Sequence, residues 1–147
     1  MSGKKFRFTL DSVLTVRRHQ TAKAEQVVAA AITARRNEEE RLAAAEQRLA
    51  ALPGANAGDV LGPADFQRQA AHRQEAMQAR AAVRRSLDMA RRRETTAHTA
   101  LTDARRPEEA LSTLRENEWD AFRKEALRAE EATLDEFAVV RHARRAS

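Results

Sequence analysis

The chain contains no Cys and no Tyr, and only 1 Trp, 4 Gly and 3 Pro among 147 residues. Each shortage excludes something. Without Cys there are no disulfides, no thiolate chemistry and no Cys-based zinc site, an absence that is neutral as to redox compartment. Val and Ile are few, and no stretch alternates with the period of a strand. No window approaches the roughly 18 uninterrupted apolar residues of a membrane-crossing helix. The opening residues, "MSGKKFRFTL", carry charge but no apolar run of signal-peptide length. These features predict a cytoplasmic protein, bound to a membrane at most peripherally. Catalytic signatures are missing as well: there is no Gly-rich phosphate loop and no G-x-S-x-G. His19, His72, His98 and His142 have no His or carboxylate partner at metal-ligand spacing and read as surface or seam residues. The sequence therefore predicts a protein that is not an enzyme, with no metal and no cofactor.

What the chain has instead is 32 Ala and 23 Arg, with 33% of its residues charged and a mean hydropathy of −0.69. That is too polar for a compact globule with a large core. Ala, Arg, Glu, Leu and Gln all favour helix, so the fold class is all-α. A net charge of +5 and a pI near 10.6 suit an acidic protein, a membrane surface or nucleic acid as partner, without choosing among them.

Five of the seven Gly and Pro residues fall in "PGANAGDVLGP", Pro53 to Pro63, which marks a loop. Before it, Thr9 or Asp11 can cap a helix. Apolar positions then recur at helical spacing through Leu10, Leu14, Ala24, Val28, Ala31, Leu42, Ala45, Leu49 and Leu52. This predicts a first helix over about 10–52, roughly 65 Å long. Arg35 and Glu38 fall on its stripe, so the seam is wet or splayed there.

After the loop, Pro63 suits a first helical turn and Asp65 suits the positive helix end, predicting a second, longer helix over about 64–145. One seven-residue frame carries Ala76, Val83, Ala90, Ala97, Ala104 and Leu111. Its companion carries Phe66, Leu87 and Leu101 among Arg73, Arg80, Glu94 and Glu108. Beyond Leu111 the spacing lengthens to Trp119 and resumes through Phe122, Ala126, Ala129, Thr133, Phe137 and Val140. That lengthening is a stutter, which unwinds a coiled coil locally.

Stripes this narrow and rich in Ala cannot stabilise a lone helix. The short loop therefore predicts one elongated antiparallel coiled-coil hairpin over 1–147. Reflection about Gly58 sets Leu14 opposite the region of Thr102 and Leu49 opposite Phe66 and Gln67. It also sets Glu38, Glu39 and Glu40 beside Arg73 to Arg80. Pro107 removes one backbone hydrogen bond and clashes with the preceding turn at about 3 kcal/mol, which predicts a kink or short break. Residues 108–147 then either project alone or pack beside the amino terminus, the second arrangement hiding Trp119, Phe122 and Phe137.

Two stretches stand out as binding candidates. "ARAAVRRSLDMARRR" holds Arg80, Arg84, Arg85, Arg91, Arg92 and Arg93 against the single Asp88. The plainer reading is a solvated helix face, and the functional one is a docking patch for an acidic surface. Reflection places it opposite "KAEQVVAAAI", where only Glu25 supplies counter-charge. With no aromatic residue among these arginines to stack a base, nucleic acid is not an expected partner. Phe6 and Phe8 in "KKFRF" either staple back onto the helix start or form an apolar tip, flanked by charge, that suits insertion into a partner or a membrane interface.

The two ends are alike: "LDSVLTVRRH" at 10–19 and "LDEFAVVRHA" at 134–143 share Leu-Asp, an apolar run, and an Arg beside a His. The stretch "FRFTLDSVLTVRRHQ", with Phe8, Leu10, Val13, Leu14 and Arg17, precedes a long helical chain ending in "EEATLDEFAVVRHARR". This layout resembles the flagellar export protein FliJ family, over the whole chain in length and over about fifteen residues at each end in motif. The resemblance implies a stalk-like antiparallel coiled coil of the type III export apparatus, serving flagellum biogenesis and motility. It implies insertion into the hexameric ring of a FliI-type export ATPase, contact with a FlhA-type export gate protein and handling of flagellar substrate chaperones. A FliH-type ATPase regulator and peripheral contact with the cytoplasmic face of the inner membrane belong to the same picture. A hairpin brings both chain ends toward one end of the molecule. There Phe6, Phe8, Leu10, Arg17, Arg18, Phe137, Arg141, Arg144 and Arg145 make an expected ATPase-binding tip. The alternative is a basic adaptor binding nucleic acid or anionic membrane through Arg80 to Arg93.

Overall fold

The computed structural model describes residues 4–54 and 62–146, so the centre of the 53–63 loop and the expected turn at Gly58 lie outside the described residues. Two helices account for nearly all of it, α1 over Asp11–Ala51 and α2 over Pro63–Arg145. They pack antiparallel, α2 being the longer, and the described residues include no strand. The chain divides into two compact units, one of Ala22–Asp103 and the other of residues up to Thr21 together with those from Ala104 onward.

In the Ala22–Asp103 unit the covered positions of α1 include Ala24, Val28, Ala31, Arg35, Glu38, Leu42, Ala45 and Leu49, three and four residues apart in turn, with Ile32 and Glu39 half-covered beside them. Those of α2 include Ala76, Arg80, Val83, Leu87, Ala90, Glu94, Ala97 and Leu101 in the same rhythm. This is the spacing that keeps one seam facing a partner helix. Val28, Ala97 and Leu101 form its apolar centre, with Ala24, Ala31 and Ile32 against them. So much Ala lets the backbones approach, but each such layer removes little apolar area from water, and stability is spread thinly along the seam.

The polar interruption at Arg35 is a cross-helix layer. The Arg35 guanidinium donates through Nε to Glu94 on α2 and through Nη1 to Glu39 at 2.8 and 2.9 Å. Those carboxylates, Glu39 first, push the Arg35 pKa upward, so it stays charged. Around them Arg91 reaches Glu39 at 3.8 Å and His98 reaches Glu94 at 3.7 Å.

These pairs overturn the reflected register. Arg35 meets Glu94, where reflection about Gly58 would give Ala81, and Arg84 meets Glu46 at 3.5 Å. The shift is nearly four turns of helix, about 20 Å, along α2. Glu39 consequently pairs with Arg91 instead of the Arg73 to Arg80 stretch, and the arginine cluster runs past residues 39–46 instead of 23–32. Phe66 does not face Leu49 and is 58% exposed. The arms are not symmetric about the loop, because the match of charged and apolar layers along the seam sets the register.

In the other unit, Thr21 is buried, and its hydroxyl donates to the carbonyls of Arg17 at 3.1 Å and of Ala104 at 3.4 Å across the seam. Two turns back along α1, Leu14 is fully buried, and this register carries it level with Leu111, not Thr102. The covered positions of α2 continue through Ala104, Leu111 and Glu118, seven residues apart, with Phe122 on the companion frame. No four-residue phase shift appears. The reason is that α1 begins at Asp11, level with Arg115 at 4.0 Å, so no helix lies beyond it against which a stutter would register.

Helix α2 is also continuous through Pro107, where a break was one expectation. Residues on both sides of this proline pack on the same α1 segment, and that shared packing outweighs one lost hydrogen bond and one steric clash. Pro107→Ala is accordingly expected to stabilise the protein by up to about 3 kcal/mol, read as a rise in the thermal midpoint. An unchanged midpoint would show that the helix relaxes fully around the ring.

Candidate functional site

The amino-terminal arm is fastened to α2 by aromatic packing. Before α1 starts, Phe8 is buried and its carbonyl accepts the Asp11 N–H at 3.2 Å, turning the chain into the helix. Phe6 then lies across α2. Its ring meets Trp119 edge-on at 5.2 Å and Phe122 at 5.6 Å, while Trp119 and Phe122 stack at 5.9 Å. Each such pair contributes about 0.5–1.5 kcal/mol beyond its buried area. Arg115 closes the contact from the other side, with Cζ 5.9 Å from the Phe6 centroid and Nε 4.0 Å from the Asp11 carboxylate. The staple reading of Phe6 is thus replaced by a strap across the hairpin. A shallow open groove beside it is lined by Lys4, Lys5 and Arg7 on one wall and Glu118 and Glu125 on the other.

The expected tip residues do not form one cluster. Phe6, Phe8 and Leu10 sit where the arm enters α1, with Phe6 engaged at residues 115–122 of α2. Arg17 donates to Gln20 within α1, and Arg18 is exposed. Phe137, Arg141, Arg144 and Arg145 lie farther along α2, where every described residue from Arg123 to Ala146 is exposed. The two alike stretches are therefore not neighbours: 10–19 runs beside α2 near Arg115, and 134–143 lies in the exposed end. Residues 108–146 combine both arrangements foreseen for them, packed as far as Phe122 and uncovered beyond it. Phe137 is 61% exposed, so it is not hidden as the packed arrangement would have required.

The basic patch is less free than its composition suggests. Arg84 and Arg91 turn toward Glu46 and Glu39 on α1, and Arg80 is half-buried on the seam. Arg85, Arg92 and Arg93 remain exposed. The feature that sequence reasoning missed is Arg115. Its signal was its spacing to Trp119 and Phe122, which puts all three on one face of α2, but nothing local named Phe6 as the residue they hold.

A two-helix seam of Ala, Leu and paired charges, with a strapped arm and an exposed, apolar-studded helical end, defines an α-helical coiled-coil protein. Residues 6–147 match the family described as Flagellar FliJ protein, nearly the whole chain, and the chain belongs to that family. It is a component of the flagellar export apparatus, in a family of cytoplasmic, non-enzymatic proteins. No helix among the described residues is long and apolar enough to cross a membrane. Comparison with curated proteins and with solved structures gives no match.

Proposed function

We propose that this chain is the stalk of the export ATPase. The exposed end of α2, with the strapped amino-terminal arm behind it, enters the lumen of a FliI-type hexamer, and other surfaces contact a FlhA-type gate protein and escort substrate chaperones. A FliH-type regulator shares the ATPase, and the assembly sits at the cytoplasmic face of the inner membrane. The observation that best supports this reading is the run of exposed residues from Arg123 to Ala146, about 35 Å of single helix. It is slender enough for a ring lumen and presents Phe137 and Val140 among Arg141, Arg144 and Arg145. Steering by complementary charge would favour an acidic lumen wall.

The test is light scattering on a sizing column of this protein mixed with the FliI-type ATPase of the same organism, alongside an ATPase assay. Comigration with an assembled ring at a fixed stoichiometry, with raised turnover, is the expected result. If neither occurs at micromolar concentrations, the stalk reading is wrong, and the exposed Arg85, Arg92 and Arg93 become the surface to examine.

A further inference from the structure

The uncovered end of α2 has a pattern that its hairpin does not use. On a helix advancing about 100° per residue, Glu130, Leu134, Phe137, Val140 and Arg144 fall on one face. Leu134, Phe137 and Val140 are 67%, 61% and 49% exposed. Glu130 and Arg144 are exposed too, and neither is in an ion pair among the described residues. The order is a palindrome in chemistry. Stepping outward from Phe137, Leu134 and Val140 are three residues away on either side, and Glu130 and Arg144 are seven away, one acidic and the other basic.

We infer that this face binds a second copy of the same chain, antiparallel, with the two-fold axis at Phe137. A two-fold contact requires a surface complementary to itself, residue i meeting j and j meeting i. Antiparallel pairing about Phe137 supplies this. The two Phe137 rings meet on the axis, Leu134 of each copy meets Val140 of the other, and Glu130 of each meets Arg144 of the other. A parallel pairing places Glu130 on Glu130 and Arg144 on Arg144, so the charges select the antiparallel arrangement. The contact spans only about four turns of helix, at the small end of specific interfaces, which makes the dimer reversible.

Self-association covers Phe137 and Arg144, two residues of the proposed ATPase-binding end. The free protein therefore holds that end capped and exchanges the second copy for the ring. This consequence rests on the stalk reading, whereas the dimer itself does not.

Sedimentation equilibrium of the full chain tests the dimer with no other protein present. The wild type is expected to show a monomer–dimer equilibrium. Glu130→Arg or Arg144→Glu alone should weaken dimerisation by about tenfold, since each reversal spoils two symmetry-related pairs, and the two together should restore it. Both positions are exposed, so folding is preserved and circular dichroism checks it. The chain has no native Cys, which makes orientation readable. In a mixture of Leu134→Cys and Val140→Cys chains, a short bifunctional maleimide should join unlike chains in preference to like ones. A monomer at all concentrations, a double reversal that does not restore pairing, or a preference for like-chain cross-links each overturns the inference. None of these outcomes bears on comigration with the ATPase.

Discussion

Leu14→Ala is expected to remove about 2–5 kcal/mol of stability, the range for a fully buried leucine truncated to a methyl group. A domain of this kind has only about 5–15 kcal/mol in total, so one substitution consumes a large part of it. The site is exceptional here. Leu14 is the one large side chain among the described residues with 0% exposure, in a seam whose other layers are mostly Ala or polar. It also lies between Phe8, where the arm enters, and Thr21, whose hydroxyl crosses to Ala104. Collapse of the backbones into the space is limited by those neighbours, which argues for the upper half of the range. Urea denaturation followed by circular dichroism measures the effect. The Ala22–Asp103 unit has its own apolar centre at Val28, Ala97 and Leu101. Hydrogen exchange should therefore show protection lost first around Leu14 and Ala104. A loss below about 1 kcal/mol would mean that the layer closes around the smaller side chain.

The helical pattern, the two-helix hairpin and the polar break at Arg35 were all legible from composition and the three-and-four spacing, because these are local properties of the chain. The register was not. Reflection about the loop treats the arms as equal, but register is decided by long-range matches such as Arg35 with Glu94, which no single helix announces. A hint was present: Arg35 and Glu94 were both polar residues on apolar frames, and pairing them would have fixed the alignment. Pro107 misled because its local cost was legible while the packing on both sides that offsets it was not. The apparent stutter at Trp119 misled in a similar way, since an aromatic residue off the frame was read as a change of phase. Trp119 in fact faces Phe6 of the arm. Of the expected tip, the sequence left open whether residues 108–147 project or pack, and it did not show the separation of the helical end from the arm. The separation depends on where α1 runs out against α2, and that again is register.

Arg141→Glu, Arg144→Glu and Arg145→Glu combined are expected to weaken association with the FliI-type ATPase by at least about tenfold at low ionic strength and to reduce its dependence on salt. The change replaces three positive charges by three negative ones at the exposed end of α2, where none of the three joins an ion pair among the described residues. Electrostatic steering of association is worth about 10- to 1000-fold in rate and declines as salt screens it. Surface plasmon resonance at several salt concentrations separates this effect from a loss of apolar contact, which would slow no encounter and would appear in dissociation. The control is Arg85→Glu, Arg92→Glu and Arg93→Glu, an equal change of charge on the basic patch in the other unit. Both triple variants carry the same net charge, so general repulsion from an anionic partner affects them alike. Only a binding site at the end of α2 makes the first variant defective and leaves the second normal. Equal losses would mean that the whole basic surface acts as a nonspecific polycation, and equal retention would remove the end of α2 from the ATPase contact.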